Sequence, residues 1–513
     1  MKQRPGLMAI LERAPLATAA LFIVLLKAIE FAIDSQTLLW FDSGGFILNA
    51  VGLQFSGYRS YVYGGLIRAF AVSFHSLRAI VAMQVVMGGL SAWLLTFALV
   101  RFLRVRAWIA ILAGLVFALD PVQVVYEHMV MAETATMLAM AVFIVGALKY
   151  LEDPSPVWLA ILPFLGIILA SLRLVYVPVV LATAVLLPAA TYFWSSVRRP
   201  RLLALGLLVS CGSAAICHLG YQHLTGWLAG REPAYLYEPG LLQLGTVASI
   251  VEPRDTDDPR VAAAIQAQKT SSIRLSDPDV RYRQLWDPQG LVPKLKTIFG
   301  DQADSYPASR RGFRSTRRDD PYYRLADQAA QRVARAAILR NPLGFLSLGI
   351  HNYLGYWRHI QYWKGFLAME DGQWPEPQVS AYAARVILSA FGADVSNEHL
   401  LNTPSQRYHV FARGWQLFLL AAPFLTGLAW WLSPPNSKGV AFLFFWNCLL
   451  MAATCFGAVQ DAYRFLHPFS FTGLAATAIL LEVAAAWRGN SMRERNTAPR
   501  AKSAEQTIPD VGL

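Results

Sequence analysis

Charge is scarce in this 513-residue chain: 15% of its residues are Asp, Glu, Lys or Arg, against about 25% in an ordinary soluble domain. The shortfall falls in long apolar runs. Hydrophobic residues make up 55% of the chain and its mean hydropathy is +0.38. A soluble globular enzyme and a disordered chain are both excluded. Cysteine is nearly absent too. Cys211, Cys217, Cys448 and Cys455 lie inside apolar runs, at spacings that match no zinc or redox motif. They read as small buried hydrophobes, not as a disulfide scaffold. Internal repeats and low-complexity tracts are not evident, which weighs against a transporter built from duplicated halves. Acid is in deficit, with 33 Asp+Glu against 45 Lys+Arg and a formal net charge of +12. Much of the basic excess sits in loops and termini, where cytoplasmic loops of membrane proteins carry it. Nucleic acid is therefore not an expected partner.

What the chain does have is apolar length. Runs lie at Leu16–Ile33, Leu77–Val100, Ala107–Leu119, Ala132–Leu148, Val157–Ala170, Leu174–Phe193, Leu202–Tyr221, Phe411–Leu432, Gly439–Val459 and Pro468–Trp487. A membrane-crossing helix takes about 20 residues. Ala107–Leu119 and Val157–Ala170 are short, so their flanks must enter the membrane or the helices must border a polar cavity. The expected fold is an all-α polytopic membrane protein with about 10–11 transmembrane helices and a mixed or mainly helical non-cytoplasmic domain. The run after Arg13 is long and holds Lys27 and Glu30, which suits an uncleaved first span better than a signal peptide.

Basic residues set the orientation. Lys2, Arg4 and Arg13, then Arg101, Arg104 and Arg106, Lys149, Arg198, Arg199 and Arg201, and the tail from Arg488 all land on one side if the spans alternate. Both termini are then cytoplasmic, and the bacterial inner membrane is the expected location. The organisation reads as residues 1–221, an N-terminal transmembrane module with outer loops; 222–410, a non-cytoplasmic domain; 411–487, C-terminal transmembrane helices; and 488–513, a basic cytoplasmic tail. Within the outer domain, residues 342–357 are apolar and aromatic and suit a helix lying at the membrane interface.

Polar residues cluster at the outer ends of the spans. Asp42, in Trp40-Phe-Asp-Ser-Gly-Gly-Phe46, is a candidate reactive carboxylate at headgroup level, and equally a helix N-cap. Lys27, Glu30 and Asp34 share one face of the first span. An intrahelical Lys27–Glu30 pair with a snorkelling lysine is the simpler account of the first two. Asp120, Glu127, His128 and Glu133 fall between the third and fourth spans, a stretch that reads equally as a solvated loop with Glu133 at a helix start. Carboxylates with a histidine are ligands a hard divalent cation such as Mg or Mn accepts, although this spacing matches no metal motif. No other cofactor is indicated. Arg173 suits either a lipid phosphate or a snorkelling position. Arg464, with Asp461 and His467, sits at helical spacing before the last span.

These features resemble the GT-C superfamily of integral-membrane glycosyltransferases, particularly the protein mannosyltransferase and aminoarabinose transferase type. The resemblance rests on an acid in the first outer loop (Asp42), an Ala-Glu opening the fourth span (Glu133), Arg173 ahead of Pro178, and Arg464-x-x-x-Pro468 leading into the last span. It covers roughly Leu16 to Pro188 and the final two spans. Many of these enzymes pair two acids in the first loop. Here Asp42 is followed by Ser43 and Gly44, which weighs against a metal there and leaves a general base.

The resemblance implies sugar transfer from a polyprenyl-phosphate donor to a lipid, glycan or protein acceptor on the outer face, by inverting displacement. Asp42 and Glu133 would be catalytic, and Arg59, Tyr61, Glu127, His128, Arg173 and Arg464 would contact substrate. The alternative is a transporter or flippase for a lipid-linked or anionic substrate, which calls for polar residues at mid-membrane and broken helices.

Overall fold

The computed structural model describes residues 14–40, 42–52, 60–194, 199–229, 232–235, 239–277, 280–300, 321–358, 379–395, 403–434, 437–458 and 463–497. Among them all regular structure is helical, and the one β feature is an isolated parallel bridge between Leu38 and Met129. Eight helices are long and apolar enough to cross a membrane. This is an integral, multi-pass membrane protein.

The α-helices of the N-terminal half are α1 (Pro15–Ile33), α2 (Ser43–Gly52), α3 (Tyr61–Ile67), α4 (Arg78–Arg101), α5 (Ala107–Ala118), α6 (Pro121–His128), α7 (Glu133–Glu152), α8 (Pro156–Leu172), α9 (Tyr176–Phe193) and α10 (Pro200–Ala229). Local chemistry explains several starts. Proline occupies the first turn of α1, α6 and α8, where a missing N–H costs nothing. Side chains of Asp120 and Ser155 cap α6 and α8. The Asp120-Pro121 pair also breaks the third apolar run: α5 and α6 meet at 47° and together form one bent candidate span. With that pair and the 17-residue α8 added to the eight, every apolar run of the sequence is a helix.

The region between the two sets of spans contains α11 (Pro239–Val247), α12 (Pro259–Lys269), α13 (Val280–Trp286), α14 (Leu291–Gly300) and α15 (Pro321–Arg340). They enclose a core of their own, built on Leu244, Val247, Val261, Ile265, Leu291 and Ala334. Arg340 ties it off, donating from Nε to Asp255 Oδ1 at 2.7 Å and from Nη1 to Glu252 Oε1 at 3.0 Å. Burial pushes the Asp255 carboxyl up, but the Arg340 hydrogen bonds and charge outweigh it and hold the group below its ordinary value of 3.8. Its contribution to stability is therefore complete above pH 3.8 and is lost as pH falls through the lower folded value. Asp255→Asn is expected to flatten the acid limb of unfolding measured in this range. An unchanged acid limb would show that the pair does not hold the subdomain.

Next come α16 (Pro342–Arg358), α17 (Ala381–Phe391), α18 (Pro404–Tyr408), α19 (Ala412–Leu432), α20 (Lys438–Gly457) and α21 (Phe469–Thr497). Buried Arg281 of α13 donates to the carbonyls of Cys455 and Ala458 at 2.6 and 3.0 Å, and Asn352 of α16 also reaches Cys455 O. A cation on the last carbonyls of α20 is favourably placed in the helix dipole, so α13 and α16 are keyed to the end of α20. Leu343, Leu346, Ile350, Leu354 and Trp357 form an exposed apolar stripe along α16.

Candidate functional site

The loop after α1 is not free. After α1, Leu38 N–H donates to His128 O at 2.8 Å and Val130 N–H donates to Leu38 O at 3.0 Å. Ser43 Oγ accepts from Trp40 N–H at 2.7 Å and donates to Val130 O at 3.0 Å. These bonds lay the loop along residues 128–131 and so set Asp42, just before α2, beside Glu133 at the start of α7. Asp34 fastens the loop's other end. Its Oδ1 accepts from Gln36 N–H at 3.0 Å and its Oδ2 from Ser405 N–H at 3.1 Å. Burial pushes this carboxyl up, but those hydrogen bonds outweigh it and hold it below the ordinary carboxylate value. The 128–131 strip is itself pinned by buried Gln84 of α4. Its Nε2 donates to the carbonyls of Tyr126, Glu127 and Met129 at 3.1, 2.8 and 2.8 Å, while its Oε1 accepts from Tyr63 Oη at 2.5 Å.

Four charged side chains from four separate stretches of chain then converge. Arg464, in the short turn before α21, donates from Nη1 to Asp42 Oδ2 at 3.0 Å. Arg173, between α8 and α9, pairs with Glu133. The two guanidiniums share one aromatic ring: their carbons lie 5.0 Å (Arg464) and 5.3 Å (Arg173) from the Phe465 centroid, within cation–π range. Tyr126 interacts electrostatically with Glu133, Arg173 and Arg464, and its ring lies 5.1 Å from that of His467. Nε of Arg464 and Nε2 of His467 are buried and make no hydrogen bond among the described residues. The two ion pairs differ in access. Asp42 and Arg464 side chains are 18% and 22% exposed, whereas Glu133 is 2% exposed.

Comparison with protein-family models found no match. A search of the curated proteins found none either. The reading of this site therefore rests on its own chemistry.

The structure brings Asp42, Glu133, Arg173 and Arg464 together but separates Glu127 and His128 from them. Both are fully buried. Glu127 Oε2 and Glu30 Oε2 flank Lys27 Nζ at 2.8 and 2.7 Å, Gln123 Nε2 donates to Glu127 Oε1 at 2.8 Å, and His128 faces the carbonyls of Val124 and Asp34. The stretch after α5 is thus no solvated loop, because α6 turns its charges inward onto Lys27. Asp120 likewise is a buried cap that also accepts from Ser470 Oγ. Lys27 does not snorkel: the pair with Glu30 is present, yet the lysine is 5% exposed. Arg59 and Asp461 lie outside the described residues. Tyr61 opens α3, whose first turn also carries Tyr63 toward Gln84 and Glu133.

Sequence reasoning missed Tyr126, Phe465 and Gln84. Gln84 was findable, being a lone amide among the apolar residues of a span. Gly88, one turn along α4, was not: a Cβ there would strike the Glu127 carboxylate. Gly88→Ala is expected to cost about 1–3 kcal/mol through overpacking, read as a lower unfolding midpoint. Wild-type stability in that variant would count against the close packing of α4 on α6.

Chemically, the cluster offers two guanidiniums for an anion, a partly exposed carboxylate for a proton, and a ring to space them. Among the described residues it has two carboxylates, fewer oxygens than a hard cation usually takes from protein. Both carboxylates are engaged by arginine, and no group of three or more His, Cys, Asp or Glu side chains is placed to hold a metal among the described residues.

Proposed function

We propose that this protein is a membrane glycosyltransferase that moves a sugar from a polyprenyl-phosphate donor to a lipid, glycan or protein acceptor at the outer face of the membrane. The convergence of Asp42, Glu133, Arg173 and Arg464 around Phe465 carries the reading. A sugar on a lipid phosphate already has a good leaving group, so the site needs a base for the acceptor and positive charge for the departing phosphate. Asp42 takes the acceptor hydroxyl's proton as that oxygen attacks the anomeric carbon. The bond from that carbon to the phosphate oxygen breaks, its electron pair leaves with the phosphate, and Arg173 and Arg464 stabilise the charge. Glu133, held by Arg173 and almost fully buried, fixes that guanidinium. One base without a nucleophile implies inversion, since retention normally needs a second, nucleophilic carboxylate.

The orientation that suits this chemistry places both termini in the cytoplasm, as in a bacterial inner membrane, with residues 222–410 outside. The apolar stripe of α16 fits a helix lying at the lipid surface. A lipid or anion transporter is favoured by two other observations: the bent α5–α6 pair and the buried Lys27–Glu30–Glu127 group. Purified protein in liposomes with a labelled polyprenyl-phosphate sugar separates the two. Cleavage of the sugar from its lipid supports the transferase. Passage of the intact lipid across the bilayer without cleavage would overturn it in favour of transport.

A further inference from the structure

Resting on the transferase reading, we propose that the Tyr126 hydroxyl is a third ligand of the donor's phosphate: it donates a hydrogen bond to a phosphate oxygen beside Arg173 and Arg464, and holds it more strongly as the sugar departs. The ring that carries this hydroxyl is fixed in place. Tyr126 lies on α6, which Asp120 caps at its start, and its carbonyl accepts from Gln84 Nε2 at 3.1 Å. The ring packs against the cluster of Leu38, Val125, Met129 and Met131 and stands 5.1 Å from that of His467.

Its surroundings suit an anion. Tyr126 is half-buried, and its phenol oxygen makes no hydrogen bond among the described residues. A phenol has one hydrogen to donate, and a donor left unpaired in a part-buried place is unfavourable. Its electrostatic partners are Glu133, Arg173 and Arg464. The Arg173 and Arg464 side chains are 15% and 22% exposed, against 2% for Glu133. An anion arriving from outside the cluster therefore meets the guanidiniums far more readily than the Glu133 carboxylate, and a phosphate oxygen there satisfies the phenol. Growth of charge during the reaction gives the contact its effect. The donor's phosphate is a diester with a single negative charge. When the bond to the anomeric carbon breaks, the electron pair stays on the phosphate oxygen and the lipid leaves as a monoester with two. A hydrogen bond strengthens as its acceptor gains charge, so the phenol favours the departing phosphate over the bound donor, and such differential binding lowers a barrier. Its own proton stays on the phenol oxygen throughout.

The test reads binding, on the full-length protein in lipid nanodiscs, by titration calorimetry above the second ionisation of a phosphate monoester at about pH 6. The probes are farnesyl phosphate, a dianionic monoester, and its methyl ester, a monoanionic diester, with farnesol as the uncharged control. The wild type is expected to bind both phosphates and not farnesol. Tyr126→Phe keeps the ring against His467 and removes the hydroxyl alone. It is expected to bind farnesyl phosphate about 10-fold more weakly, the effect of losing one hydrogen bond to a charged group. It should lose clearly less affinity for the methyl ester and unfold at the wild-type midpoint. Unchanged binding of farnesyl phosphate, an equal loss for both phosphates, or a lowered midpoint overturns the contact. A wild type that does not bind farnesyl phosphate, or binds farnesol as tightly, overturns it too. The contact and the transferase fail separately. Sugar transfer by the wild type, with both phosphates bound equally well by Tyr126→Phe and the wild type, removes only the contact. Selective loss of farnesyl phosphate in the variant, without sugar transfer by the wild type, removes only the transferase.

Discussion

Asp42→Asn is expected to lower sugar transfer by about 10²–10⁴-fold, the range over which a positioned general base contributes, while leaving the protein folded. Asparagine keeps the side chain's shape and an oxygen that Arg464 can still meet, so the turn before α21 retains its partner. Only the capacity to take a proton is lost. The defect should appear in kcat, with KM for the lipid donor little changed, because the phosphate is held by the guanidiniums and not by residue 42. Steady-state transfer at varied donor concentration checks this. Near-wild-type kcat would move the base elsewhere, and Glu133 is the remaining carboxylate of the cluster. Glu133→Gln is a different experiment. It leaves the Arg173 guanidinium without its counter-charge in a part-buried position, so its loss of activity would mix with misplacement of that arginine.

Lys27→Met is expected to be the most damaging single substitution for stability, at about 3–5 kcal/mol, the cost of breaking a buried ion pair by removing one partner. Glu127 is fully buried, Glu30 is partly buried, and Lys27 is the cation between them. Without it two carboxylates face each other in the interior. The cost should largely vanish in a variant with Lys27→Met, Glu30→Leu and Glu127→Leu combined, since apolar replacement of a whole buried group is often neutral or favourable. Unfolding of the single and triple variants in mixed detergent measures the difference. Equal destabilisation in both would mean that packing at α1, α4 and α6 matters more than charge compensation.

How much of this was legible beforehand depended on the range of the interaction. The apolar runs specified their helices because a bilayer-length stretch without charge has few other fates. The Asp120-Pro121 break was written locally as a cap and a first-turn proline. The four residues of the charged cluster could each be singled out, since charge at a span's end is conspicuous. Their pairing could not: Asp42 and Arg464 stand 422 residues apart, and Arg173 and Glu133 stand 40 apart. The same blindness misplaced Glu127, whose lysine lies 100 residues away on α1. Polarity alone suggested a wet loop, and only the tertiary partner makes burial tolerable. Between the two sets of spans, helices such as α15 bury alanines, Ala330, Ala334 and Ala337, where larger residues would have marked a core face. That small side chain leaves little periodic signal to read.

In the proposed reaction one carboxylate base acts opposite a phosphate held by two arginines. The anomeric configuration of the transferred sugar tests it most directly. Nuclear magnetic resonance of the product from purified protein and a polyprenyl-phosphate donor of known anomeric form is expected to show inversion, because Asp42 takes the proton and Glu133, the other carboxylate of the cluster among the described residues, is held by Arg173. Retention of configuration would rule this reaction out, since it would require a second, nucleophilic carboxylate beside the base, and Glu133 is held by Arg173.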